Sequence, residues 1–133
     1  MSTIFSKIIS GDIPAFKVAE NERFLAFLDI NPLRPGHTLV IPKQEIDYFF
    51  DIAPGDMAEL MAFTSSVAKA IQVAFPCKKV GMTVIGLEVP HVHIHLVPMD
   101  GIADMNFSGP KLHPSMDELA AAAEKIKTAR SSK

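Results

Sequence analysis

The chain has a single cysteine, Cys77, in 133 residues. One thiol excludes an intrachain disulfide framework and any Cys-x-x-Cys zinc knuckle, and it suits a reducing compartment, where Cys77 reads as a small buried hydrophobe. A cationic excess is also missing. Thirteen Lys and Arg stand against 15 Asp and Glu for a net charge of −2, and the basic residues are dispersed. Nothing forms the stripe that a nucleic-acid backbone would need, so no nucleic-acid partner is expected. No apolar run approaches membrane-spanning length, and Met1-Ser2-Thr3-Ile4-Phe5-Ser6-Lys7 lacks the charged start and long apolar stretch of a secretory leader. These absences lead to the expectation of a cytoplasmic protein with no membrane partner. Neither an internal repeat nor a low-complexity domain is visible.

What is present is ordinary globular composition, 48% hydrophobic and 21% charged, at a length that fits one domain over residues 1–133 with a substantial core. Ile4, Phe5, Ile8 and Ile9 have helical spacing between Thr3 and Ser10, with Ser2 or Thr3 as cap and Gly11 and Pro14 as the stop. Ala15–Glu20 and Arg23–Asp29 read as a hairpin around Glu20-Asn21-Glu22, and His37–Ile41 as a third strand ended by Pro42. Met57, Leu60, Met61, Val67, Ala68, Ile71 and Phe75 recur at helical spacing from Pro54 to Phe75, with Pro76 closing the helix. Lys79–Ile85 reads as a fourth strand and residues 99–114 as a surface loop. Ser115-Met116-Asp117-Glu118 has the spacing of a capping box ahead of a C-terminal helix, frayed from Thr128 onward. The pattern predicts an α+β fold: a five-stranded antiparallel sheet, one long helix, and short N- and C-terminal helices.

Chemistry concentrates in His91-Val92-His93-Ile94-His95-Leu96-Val97-Pro98. In an extended strand alternate side chains share a face, so His91, His93 and His95 line one side while Val92, Ile94 and Leu96 line the other. Three readings compete. As plain packing, each buried ring would need a partner for its donor nitrogen. As a metal site, same-face histidines would present nitrogens to zinc with water in the open position. As a nucleophilic site, one histidine would attack while two others hold phosphate oxygens and assist proton transfer.

The alternation of three histidines with hydrophobic residues, ending in Leu96-Val97, closely resembles the signature of the histidine triad (HIT) hydrolases. The resemblance extends to Thr3–Ile9, Ile13-Pro14, Leu25–Pro32 and Gly36–Lys43, segments similar to the Hint-like branch, and spans about residues 3–98. It implies a HIT-like fold, a homodimer in which two sheets join, and a purine nucleotide such as AMP or GMP as the bound partner. It implies hydrolysis at the α-phosphate of nucleoside 5′-phosphoramidates or related conjugates, without cofactor or metal. By motif position His93 is the nucleophile that forms a nucleotidyl-histidine intermediate. His95 contacts phosphate and protonates the leaving group, while His91 and His37 orient. Asp29 matches the carboxylate that accepts from ribose hydroxyls, although an Asp opening a turn before Asn31-Pro32 would look the same. Ile4, Phe5, Ile8 and Phe27 match positions that sandwich the base, and the same spacing would bury them as core. Phe24, Leu25 and Leu39 read as core.

The chain departs from its relatives at Gly86-Leu87-Glu88, where many carry Gly-Gln-Ser or Gly-Gln-Thr, so two polar contacts to phosphate are missing. Glu88 would repel a phosphate if turned inward, yet it could pair with a cationic amine on the leaving side. His95 stands where the transferase branch has Gln, favouring hydrolysis, and Ser6 stands where zinc-carrying relatives have Cys. A dinucleoside polyphosphate hydrolase, a nucleotide sensor without turnover, and a metallohydrolase are the alternatives.

Overall fold

Alternating apolar residues build the centre of the fold. The computed structural model describes residues 3–131. In it β1 (Lys17–Glu20), β2 (Phe24–Leu28), β3 (Thr38–Pro42), β4 (Lys79–Thr83) and β5 (Ile94–Met99) form one antiparallel sheet in the order β1-β2-β3-β5-β4. The central strands β2 and β3 are buried along their whole length, as strands covered on both faces must be. The period of two then separates two cores. Phe24, Ala26, Leu28, Val40, Ile94 and Leu96 join one cluster with residues of α2 (Pro54–Ala74) and α3 (Met116–Ser131). Leu25, Phe27, Leu39 and Ile41 join the other with Phe5 and Ile8 of α1 (Ile4–Ser10).

The α+β architecture is the one the pattern predicts, and its details depart in four places. Pro42 lies within β3, opposite Phe24, and Pro98 lies within β5, opposite Val80. The fourth strand stops at Thr83, two residues early. The histidine strand begins only at Ile94, because the backbone N–H of Val92 donates to the Ile46 carbonyl at 2.7 Å instead of joining the ladder. The C-terminal helix is longer than the short one expected: α3 runs 16 residues and buries Leu119, Ala123 and Ile126. Its capping box is formed as read, with Ser115 Oγ accepting from the Glu118 N–H and Glu118 Oε1 from the Ser115 N–H. Ser2, the alternative cap for α1, is outside the described residues; Thr3 Oγ1 caps, accepting from the Ser6 N–H at 3.0 Å. Short 3-10 turns occur at Phe49–Asp51 and, in the expected surface loop, at Ile102–Met105. Among the described residues no helix is long and apolar enough to cross a membrane.

Candidate functional site

The side chains of His93 and His95 point to the α1 face, opposite Ile94 and Leu96, and His37 enters from the turn ahead of β3. His37, His91, His93 and His95 are all buried. Four buried imidazoles each need an assigned proton, and their partners assign it. The Leu33 N–H donates to His37 Nδ1 at 3.0 Å, so the neutral ring carries its hydrogen on Nε2. That nitrogen lies 3.0 Å from His95 Nδ1 and donates to it. His95 therefore holds its own hydrogen on Nε2.

The same logic fixes the other two rings. His91 Nε2 lies 2.8 Å from the Pro42 carbonyl and must donate, which leaves Nδ1 to accept from the Thr3 hydroxyl at 3.2 Å. His93 Nδ1 lies 2.9 Å from the His91 carbonyl and donates there, so its Nε2 keeps a lone pair, with no hydrogen-bond partner among the described residues. Fixed donors on every neighbour and one free lone pair are what an imidazole nucleophile needs. The main-chain carbonyl of His91, rather than its ring, orients His93.

Burial disfavours the charged form of His37, His91 and His95. It drives His37 from 6.5 to about 3, helped by the nearby charges of His95 and Lys111, and His95 from 6.5 to about 4, helped by His93. Burial also lowers His91, against the opposing bond to the Pro42 carbonyl. Asp29 moves the other way: burial raises its carboxyl, partly offset by the Asn31 N–H that donates to Oδ1 at 2.9 Å. The Asx-type turn through Oδ1 is formed, and the second oxygen, Oδ2, lies 3.8 Å from His37 Nε2.

Ligand atoms of Asp29, His37 and His95 lie within 4.8 Å of one another, a spacing that would suit a cation. The hydrogen bonds oppose it, because the Leu33 N–H forces the His37 proton onto Nε2, the nitrogen a metal would need to find bare. The cluster is better described as a proton-ordered relay.

The expected base-binding residues divide. Phe5, Ile8 and Phe27 are buried in the α1-side core, Phe5 edge-on to Phe27 at 5.7 Å and to His93 at 4.9 Å. Phe5 thus supports the His93 ring. Ile4 is half exposed and lines a cavity of 470 Å³ with Thr3, Glu45, Asp47, Glu88, Val89 and Pro90. Glu88 is exposed there, and its charge acts on Asp29. Phe24, Leu25 and Leu39 are core, as read.

Four contributors escaped the sequence reading: the Leu33 N–H, the Pro42 carbonyl, the Thr3 hydroxyl as partner of His91, and Phe107, whose ring lies 4.7 Å from that of His95. Backbone groups have no sequence signal, and Thr3 was legible only as a cap. Phe107 did carry a signal, as the one Phe, Tyr or Trp in residues 99–114.

Comparisons with known proteins agree with this fold. The HIT domain family matches residues 10–102. A HIT-like protein of Methanocaldococcus jannaschii is 47% identical over 105 residues, covering 71% of this chain and 77% of its own length. The adenosine 5′-monophosphoramidase of Schizosaccharomyces pombe is 34% identical over 128 residues, covering 95% and 96%. The crystal structure of a HIT-like protein involved in cell-cycle regulation from Bartonella henselae superposes with a TM-score of 0.84 at 30% identity, covering 96% of each chain. With four buried histidines gathered beside this sheet and the match spanning most of the chain, the protein belongs to the HIT family.

Proposed function

We propose that the protein hydrolyses purine nucleoside 5′-phosphoramidates or related nucleotide conjugates at the α-phosphorus, through a nucleotidyl-histidine intermediate on His93. The observation that carries this reading is the free lone pair on His93 Nε2, in a ring whose other nitrogen is committed to the His91 carbonyl at 2.9 Å. His93 Nε2 bonds to phosphorus as the P–N bond to the leaving amine breaks, and the amine departs with the bonding pair and a proton. His95 presents its Nε2–H toward the reacting phosphate. The proton the amine takes comes from His95 Nε2–H, and the water that next attacks phosphorus gives one back to that nitrogen. Water then attacks phosphorus, releasing the nucleoside 5′-monophosphate and restoring Nε2. Asp29 Oδ2 is the acceptor for a ribose hydroxyl. His37 and His91 hold the other rings, and no metal or cofactor takes part. Two copies of the chain pair through their sheets, and residues 1–133 act as one domain. The yeast relative named as an adenosine 5′-monophosphoramidase supports the phosphoramidate class.

The test is hydrolysis of adenosine 5′-phosphoramidate by the native chain and by His93→Ala, each with and without EDTA, with a dinucleoside polyphosphate alongside. Turnover should ignore EDTA and fall at least about a thousand-fold in the variant. Preference for the dinucleoside polyphosphate would move the protein to that class. AMP binding without turnover of either would make it a nucleotide sensor and sink the hydrolase reading.

A further inference from the structure

The HIT match ends at residue 102, and the segment beyond it reads as surface loop. In the structure this segment turns back onto the site. The Phe107 ring stands edge-on to His95, centroids 4.7 Å apart at 67°, and to His37, 6.1 Å apart at 81°. Lys111 Nζ donates to the Phe107 carbonyl at 2.9 Å, the Leu112 N–H donates to the Pro32 carbonyl at 2.9 Å, and His113 Nδ1 lies 3.2 Å from Asn31 Oδ1. The segment is thus fastened to the turn that carries Asp29 and His37, while its one large ring touches His95.

That contact matters because the relay depends on ring angle. His95 Nδ1 must meet the Nε2–H of His37, and a swing of the His95 ring would break this bond and misdirect its outward N–H. Phe107 closes one side on which the ring could swing. We propose that residues 106–113 form a wall of the HIT site, with Phe107 a positioning residue that holds the His95 ring against His37, and Lys111 the tether that holds Phe107. The part of this that concerns turnover rests on the phosphoramidate reading above; the part that concerns ring position does not.

The groups facing His95 are His37 from the turn before β3, His93 from its own segment, and Asp29 beyond His37. Lys111 adds a positive charge felt at Asp29 and His37. All of these stay in place when Phe107 is shortened, so a change in His95 would trace to lost cover and lost ring restraint. Shortening Phe107 admits water to a ring that burial holds neutral, and its titration moves back toward the ordinary histidine range.

The experiment uses the ligand-free protein first. Imidazole resonances of His95, assigned with His95→Gln, are followed by NMR against pH in the native chain, Phe107→Ala, Phe107→Leu and Lys111→Met. The expected result is a His95 titration raised by about one pH unit or more in Phe107→Ala. Phe107→Leu should shift it less, and Lys111→Met in the same direction as Phe107→Ala. Turnover of adenosine 5′-phosphoramidate is measured on the same samples. In Phe107→Ala kcat should fall about ten-fold or more with KM nearly unchanged, and Phe107→Tyr should restore most of it. A purely structural Phe107 would lower the melting temperature without moving the His95 titration or kcat at temperatures where the chain is folded, and that result would overturn the proposal. If the native chain shows no turnover, the phosphoramidate reading fails and the NMR comparison alone decides the wall.

Discussion

Thr3 places one oxygen in two structures. Its Oγ1 accepts from the Ser6 N–H to cap α1, and the same hydroxyl donates its hydrogen to His91 Nδ1. Capping side chains contribute about 1 kcal/mol, and a buried acceptor left without a donor costs about 1–3 kcal/mol. Thr3→Val keeps the shape and removes both interactions, so it should cost about 2–4 kcal/mol in urea unfolding. Thr3→Ser, which keeps the hydroxyl, should recover most of that loss. A Thr3→Val chain as stable as the native one would mean that His91 finds its donor elsewhere. The chain of protons at this scale was only half legible. A period of two pointed to His91, His93 and His95 sharing a face, but only His95 lies within β5, and which nitrogen of each ring carries hydrogen depends on partners far along the chain. His37 lies 58 residues from His95 and the Pro42 carbonyl 49 residues from His91, separations at which sequence pattern carries no information.

Elements were legible where a period or a cap marked them and illegible where another partner competed for the backbone. The α2 spacing and the Ser115–Glu118 capping box translated directly into helices. The start of β5 did not, because the Ile46 carbonyl takes the Val92 N–H. Residues 106–113 have no apolar period, so their return to the site was invisible. The turn between β2 and β3 gives the sharpest test of an element. Gly36 sits at φ +94°, and a Cβ there would come 2.8 Å from the Phe75 ring of α2's C-terminal end and 3.2 Å from Pro98. Only glycine combines that backbone with that approach. Gly36→Ala should therefore lower stability by about 1–3 kcal/mol. Since His37 follows directly, it should also lower kcat for the phosphoramidate. An alanine variant that melts with the native chain would show that the turn relaxes without cost.

For the whole molecule, keeping His37, His91 and His95 buried couples folding to pH with a definite sign. His37 is held at about 3 and His95 at about 4 in the folded protein, against about 6.5 in an unfolded chain. Both groups have folded values below their unfolded ones. Above pH 6.5 both states are neutral and this contribution to stability is whole. As pH falls below 6.5 the unfolded chain takes up protons that the native chain refuses, and stability drops by about 1.4 kcal/mol per pH unit for each group. His91, lowered by burial, acts in the same direction. Asp29, raised by burial, acts in the opposite direction just above the ordinary carboxyl range. The surface carboxylates held low, Asp100 and half-buried Asp104 by backbone N–H groups and Glu45 by Ser6, lose their contribution only at more acid pH. The interval from pH 6.5 to about 5 therefore belongs to the histidines. Urea melts at pH 7, 6 and 5 should show stability falling by about 2–3 kcal/mol per pH unit below 6.5. His37→Gln should have a shallower slope, because one refusing ring is gone. A flat profile from pH 7 to 5 would mean that the rings titrate in the folded protein as they do in the unfolded one. The proton-ordered relay between His37 and His95 would then lose its basis.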